Sequence, residues 1–96
     1  MADHLITRQA NGSHGRYVIR LGDDEAELTY SVTTPTLVIV DHTEVPDAFR
    51  GTGAGLAMAT RLVADARAEG FKIMPLCPFV NAQRKRHPEW ADAFAV

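Results

Sequence analysis

Two stretches and one lone side chain in this sequence have the types and spacing to do chemistry. The first is Arg50-Gly51-Thr52-Gly53-Ala54-Gly55, in which three alternate glycines follow an arginine. Between a strand and a helix, such a turn sets backbone N–H groups at a helix N-terminus. There they and the helix dipole favour an anion such as a phosphate. A plain strand-to-helix connection accounts for one or two glycines, and less naturally for three behind an arginine. A Walker A loop is excluded because no Gly-x-x-x-x-Gly-Lys-Ser/Thr occurs, and the dinucleotide fingerprint fails because Leu56 stands where its third glycine belongs. The second stretch is Asp41-His42-Thr43-Glu44-Val45, polar residues closing an apolar run. Imidazoles exchange protons near neutrality, so His42 is a candidate base, with Glu44 on the same alternate face. The lone side chain is Cys77, the one cysteine of the chain. Three roles stand open for it: an acid, a nucleophile, or a small buried hydrophobe.

These residues need elements to position them. Tyr17, Ile19 and Leu21 alternate as a strand that we expect to begin near Arg16, after a turn-rich opening at Asn11 to Gly15. Gly22-Asp23-Asp24 turns the chain. Ala26, Leu28, Tyr30 and Val32 then alternate with Glu25, Glu27, Thr29 and Ser31, which predicts a hairpin with one wet face. Thr33-Thr34-Pro35 turns again into a more buried strand, Thr36 to Val45, with His42 on the face of Val38 and Val40. A helix is expected from Leu56 to Glu69. Leu56, Ala59, Val63 and Ala66 would face the sheet, and Gly70 would stop the helix. Phe71 to Leu76 reads as a strand in which Pro75 removes a backbone donor, so pairing should fail there and open the sheet beside His42 and Cys77. Phe79 to Arg86 and Glu89 to Phe94 read as short helices, with Trp90 and Phe94 as core anchors.

The chain has 96 residues, 46% hydrophobic and 23% charged, which suits one globular unit, residues 1–96, without a second core. A formal net charge of −2 gives no support to nucleic-acid binding. Met1 to Ala10 lacks an apolar signal core and no apolar run approaches a membrane span, so a cytoplasmic protein is expected, as is a monomer or small homo-oligomer. Charge is divided unevenly, −5 over residues 1–47 and +3 over residues 48–96, which hints at an anionic ligand near the second half. Arg84-Lys85-Arg86 is a solvated helix face that also suits phosphate contact. His4, His14 and His87 have no metal-ligand spacing with one another or with Cys77, and no metal is expected.

Val45 followed by Arg50-Gly51-Thr52-Gly53-Ala54-Gly55 resembles the acetyl-CoA motif of the GNAT superfamily of N-acetyltransferases, Arg/Gln-x-x-Gly-x-Gly/Ala after a strand and before a helix. Asp41 to Val45, Phe49-Arg50-Gly51, Cys77-Pro78-Phe79 and His87-Pro88 resemble a small single-domain branch of that superfamily, over about residues 15–94. The resemblance implies an α+β fold: a mostly antiparallel sheet, a central helix after the glycine-rich loop, and short C-terminal helices. It implies an enzyme that moves an acetyl group from acetyl-CoA, as cosubstrate, to a primary amine of a small molecule or protein. The alternative is a CoA-binding module with little turnover. Val45, Arg50, Gly51, Thr52, Gly53, Ala54 and Gly55 would bind the cosubstrate, and His42 and Cys77 would be catalytic, with direct transfer preferred over an acetylated Cys77.

Overall fold

Strict alternation builds the first half of the chain. A computed structural model describes residues 4–96. Its sheet is formed by β1 (Thr7–Asn11), β2 (His14–Leu21), β3 (Asp24–Thr34), β4 (Leu37–Glu44) and β5 (Lys72–Pro75), adjacent in that order. The first four run antiparallel and β5 lies parallel to β4. The helix α1 (Ala54–Glu69) makes the crossover that a parallel pair requires, and α2 (Pro78–Arg86) and a 3-10 turn at Pro88–Ala93 follow β5. This is the expected α+β arrangement, a mostly antiparallel sheet with a central helix.

Alternate residues of β2 and β3 supply the core floor: Tyr17, Ile19, Ala26, Leu28 and Tyr30 are buried. Against them α1 lays Met58, Ala59, Leu62, Val63 and Ala66, one helical face in which the alanines let the helix come close. Full burial of a side chain such as Leu62 or Met58 stabilises by about 1.5–3 kcal/mol. Leu56, expected on this face, is instead 40% exposed in the first turn of α1, and Met58 is the buried residue there. Gly70 ends the helix as expected. Trp90 and Phe94 are buried anchors, and the indole also stacks on His87, with ring centroids 4.3 Å apart.

A polar cluster ties the sheet to α1. The Tyr17 hydroxyl donates to Asp65 at 2.7 Å, and Asp65 also accepts from Arg61 and Arg8. Burial first, and then that hydrogen bond, hold the Tyr17 phenol far above its ordinary range, so it stays a donor. Arg8 also reaches Glu69 and the Tyr30 hydroxyl. It comes from β1, a strand that the turn-rich opening did not announce; β2 itself starts at His14, before Arg16.

Candidate active site

The glycine-rich loop joins β4 to α1 through a 3-10 turn at Asp47–Phe49. Gly51 and Gly53 hold φ of +78° and +74°, a conformation that glycine adopts without strain, with open space where a side chain would begin. Thr52 tightens the turn from within. Its N–H donates to the Phe49 carbonyl at 3.0 Å, its hydroxyl to the same carbonyl, and the Ala54 N–H donates back to that hydroxyl. Among the described residues, the N–H groups of Gly51, Gly53 and Gly55 have no acceptor. The free donors therefore include the three alternate glycines and Leu56, at the positive end of a sixteen-residue helix.

Gly55 has a second reason to be glycine. A Cβ there would stand 2.7 Å from the Phe79 ring, so the start of α2 packs directly on the start of α1. Gly55→Ala should force that ring aside. We expect a loss of about 1–3 kcal/mol, a fall in melting temperature of roughly 5 °C or more, and recovery when Phe79→Leu is added. An unchanged midpoint in thermal unfolding would show that the ring yields freely.

Between the loop and α2 lies a cavity of about 490 Å³, walled by Thr43, Val45, Gly53, Phe79, Gln83 and Arg86. Arg50 stands at its rim, largely exposed and 3.6 Å from Asp47, a contact too solvated to hold it in place. Of the basic run on α2, Arg86 lines the cavity, while Arg84 is held by Asn81 at 2.8 Å. The cavity is thus rimmed by two arginines and backed by free backbone donors, a fit for the phosphates of a nucleotide-like ligand.

The sheet opens beside this cavity, but not at Pro75. The Lys72 N–H donates to the carbonyl of Thr36, just ahead of β4, whereas the carbonyl of Ile73 turns to the other edge and accepts from Ala95. Pro75, two residues on, keeps that outward orientation, so its missing N–H costs no bond to β4. Its register with Val40 is kept. Pairing lapses one step later: the Leu76 N–H folds back to the Met74 carbonyl, Cys77 donates to Val40 at 3.1 Å, and β4 from Asp41 to Glu44 pairs with β3 alone.

That same stretch carries a β-bulge that the alternation hid. Thr29 opposes His42 while Tyr30 opposes Val40, leaving Asp41 as the extra residue. The bulge shifts the faces by one. Thr43, opposite buried Leu28, shares the core face of Val38 and Val40, and His42 and Glu44 project from the outer face. The expectation that His42 lies on the face of Val40 is thereby corrected. His42 and Glu44 are both exposed, with Nε2 of the one 4.0 Å from Oε2 of the other. Cys77 is on the inner side, 2% exposed at the start of α2, its Sγ 3.1 Å from the Thr43 hydroxyl. The structure does not bring His42 and Cys77 to one face. It joins Cys77 to Thr43, and Thr43 to the cavity. In the sequence Thr43 and Phe79 stand out only as members of longer motifs and Gln83 not at all, since a threonine in a polar run and a helix-facing phenylalanine carry no distinctive spacing of their own.

Among the described residues, no three His, Cys, Asp or Glu side chains gather as a metal-ligand set. No helix among them is long and apolar enough to cross a membrane. Residues 16–93 match a protein family described as GCN5-related N-acetyl-transferase. No curated protein matches the chain.

Proposed function

Because the chain belongs to the GCN5-related N-acetyltransferase family, with the match covering most of its 96 residues, acetyl transfer is its general chemistry, and we propose that it moves an acetyl group from acetyl-CoA to a primary amine. The observation that carries this reading is the set of free N–H groups on Gly51, Gly53 and Gly55 at the head of α1, backing a cavity rimmed by Arg50 and Arg86. A pyrophosphate is a dianion with outward oxygens, and alternate backbone donors at a helix N-terminus match it. The amides of a pantetheine arm need strand-like partners, and β4 beyond Val40 has an edge unpaired by β5. Bound acetyl-CoA supplies the activated acetyl group; the chain supplies binding, orientation and proton transfer.

In this reading Val45, Arg50, Thr52 and Ala54 frame the cosubstrate while the three glycines donate to it. His42, on the outer face, accepts a proton from the incoming ammonium. Cys77, through Thr43, serves the thiolate that leaves. Direct transfer suits a thiol that is nearly fully buried, since a nucleophile must reach the carbonyl carbon. The free, buried Cys77 is in keeping with a reducing cytoplasm, and residues 1–96 would act as one domain.

Thermal denaturation with added ligands tests the proposal. Acetyl-CoA and CoA should raise the melting temperature in a concentration-dependent way, because a ligand bound only by the folded state stabilises by mass action. ATP and NAD should do much less. A ranking that puts ATP or NAD above CoA would overturn it. Stabilisation by acetyl-CoA without CoA release in the presence of any amine would favour a CoA-binding module instead.

A further inference from the structure

The outer face of the sheet, away from α1, carries a second hollow. Register places Gln9, Arg16, Thr29 and His42 in one row across β1 to β4, with Asn11, His14 and Ser31 in the next row. Between the rows lies a depression of about 450 Å³ that reaches Asp41. Arg16 leaves it open. Its guanidinium is drawn along the sheet to Glu25 and Glu27, at 2.7 and 2.8 Å, while its Nε donates to Gln9. That cation is therefore already neutralised, and buried Val18 lies between Arg16 and Arg20 on this face.

The β4 end of the hollow is different. Asp41 accepts from the Ser31 hydroxyl at 3.0 Å and, among the described residues, has no cationic partner. Ser31 has one proton to give. With that proton on Asp41, the contact from Ser31 to His14 Nδ1, 3.2 Å, requires the imidazole to donate. The carboxylate is thus oriented by a two-step chain and keeps acceptor capacity for another donor. Asp41 is also the bulge residue. It directly follows Val40, where pairing with β5 ends beside Cys77, and it precedes His42.

Resting on the acetyl-transfer reading, we infer that this hollow is the acceptor subsite and that it takes a small primary amine with a hydrogen-bonding tail. The ammonium lies against Asp41 beside His42, and the tail crosses the strands toward Gln9 and Asn11. Three inter-strand spacings give it a span of roughly 14 Å. The volume suits a small molecule. The reaction balances without another reactant: the ammonium gives one proton to His42, and its nitrogen pair forms the C–N bond to the acetyl carbon. The C–S bond then breaks with its electrons on sulfur, and the second N–H proton replaces the one that Cys77 gives to the thiolate. The products are an N-substituted acetamide, CoA thiol and one released proton. Asp41 binds and positions; it is not the base.

Two measurements test this. In backbone-amide NMR, titration of the wild-type protein with 10-aminodecanamide, long enough when extended to cross the hollow, should shift Gln9, Asn11, Thr29 and Asp41. No shift at those positions overturns the inference whether or not acetyl-CoA binds. In steady-state assays, Asp41→Asn should raise KM for 10-aminodecanamide and for decylamine about tenfold to a hundredfold, with the KM for acetyl-CoA within twofold. Gln9→Leu should raise KM for the amide alone. Unchanged amine KM in Asp41→Asn overturns the subsite, whereas a wild-type protein that fails to bind acetyl-CoA overturns the acetyl-transfer reading instead.

Discussion

Gly53→Asp is expected to weaken acetyl-CoA binding about a hundredfold or more, roughly 3 kcal/mol, in a chain that still folds. Gly53 sits at φ +74° with nothing within 4 Å of a Cβ, so an aspartate side chain starts into open space. Its backbone strain is of order 1 kcal/mol, because aspartate is among the side chains that visit this conformation. The new carboxylate would stand where the free donors and the positive end of α1 converge, repelling a pyrophosphate and competing for the same N–H groups. Gly53→Asn is the control, with the same strain and nearly the same size but no charge, and should lose only about tenfold. Isothermal titration with acetyl-CoA, beside circular dichroism and thermal unfolding of each variant, separates the outcomes. If folded Gly53→Asp binds acetyl-CoA as the wild type does, the phosphates are held elsewhere and the loop is only a turn.

What the sequence disclosed follows from which forces act locally. The β2–β3 hairpin was legible because one face is buried and the other wet, so Ala26, Leu28 and Tyr30 had to alternate with Glu25, Glu27 and Thr29. The loop and the stop of α1 were legible because Gly51, Gly53 and Gly70 occupy backbone conformations that most residues avoid. β1 was not, since Thr7–Asn11 is an exposed edge whose Arg8 is fixed by Tyr30, Asp65 and Glu69 far along the chain. The bulge at Asp41 was hidden for a related reason: in a polar run no apolar residue is moved into water by a slip of one, so the pattern does not record it. Pro75 misled because a proline's effect depends on which edge its nitrogen faces, and only the partner strands decide that. The candidate site divides along the same line. Its loop could be read from residue types, whereas the pairing of Cys77 with Thr43 and the separation of His42 required the register.

That separation makes the mechanism testable by a double-variant cycle. Cys77→Ala should bind acetyl-CoA almost normally and lose turnover by about 10²–10⁴-fold, the range for a lost general acid. Removing Sγ also leaves the Thr43 hydroxyl without its 3.1 Å partner, so Cys77→Ser serves as the folding control. Wild-type protein held with acetyl-CoA and no amine should show no added acetyl mass, because the thiol is 2% exposed behind Thr43. A stoichiometric adduct on Cys77, discharged by an amine, would establish the covalent route instead. His42→Ala should lower turnover independently, most strongly at pH values below the amine's pKa, where the acceptor arrives protonated and a base is needed. The two residues lie on opposite faces of β4, His42 outward and Cys77 reached from within through Thr43. A base and an acid acting at separate points of one reaction should have multiplicative effects, so the double variant should fall by close to the product of the single losses. A Cys–His dyad behaves otherwise, since removing either member disables the unit and the second substitution adds little. A double variant no slower than Cys77→Ala alone would require the two side chains to meet during turnover, and hence a movement of β4 about the bulge at Asp41 that brings His42 inward.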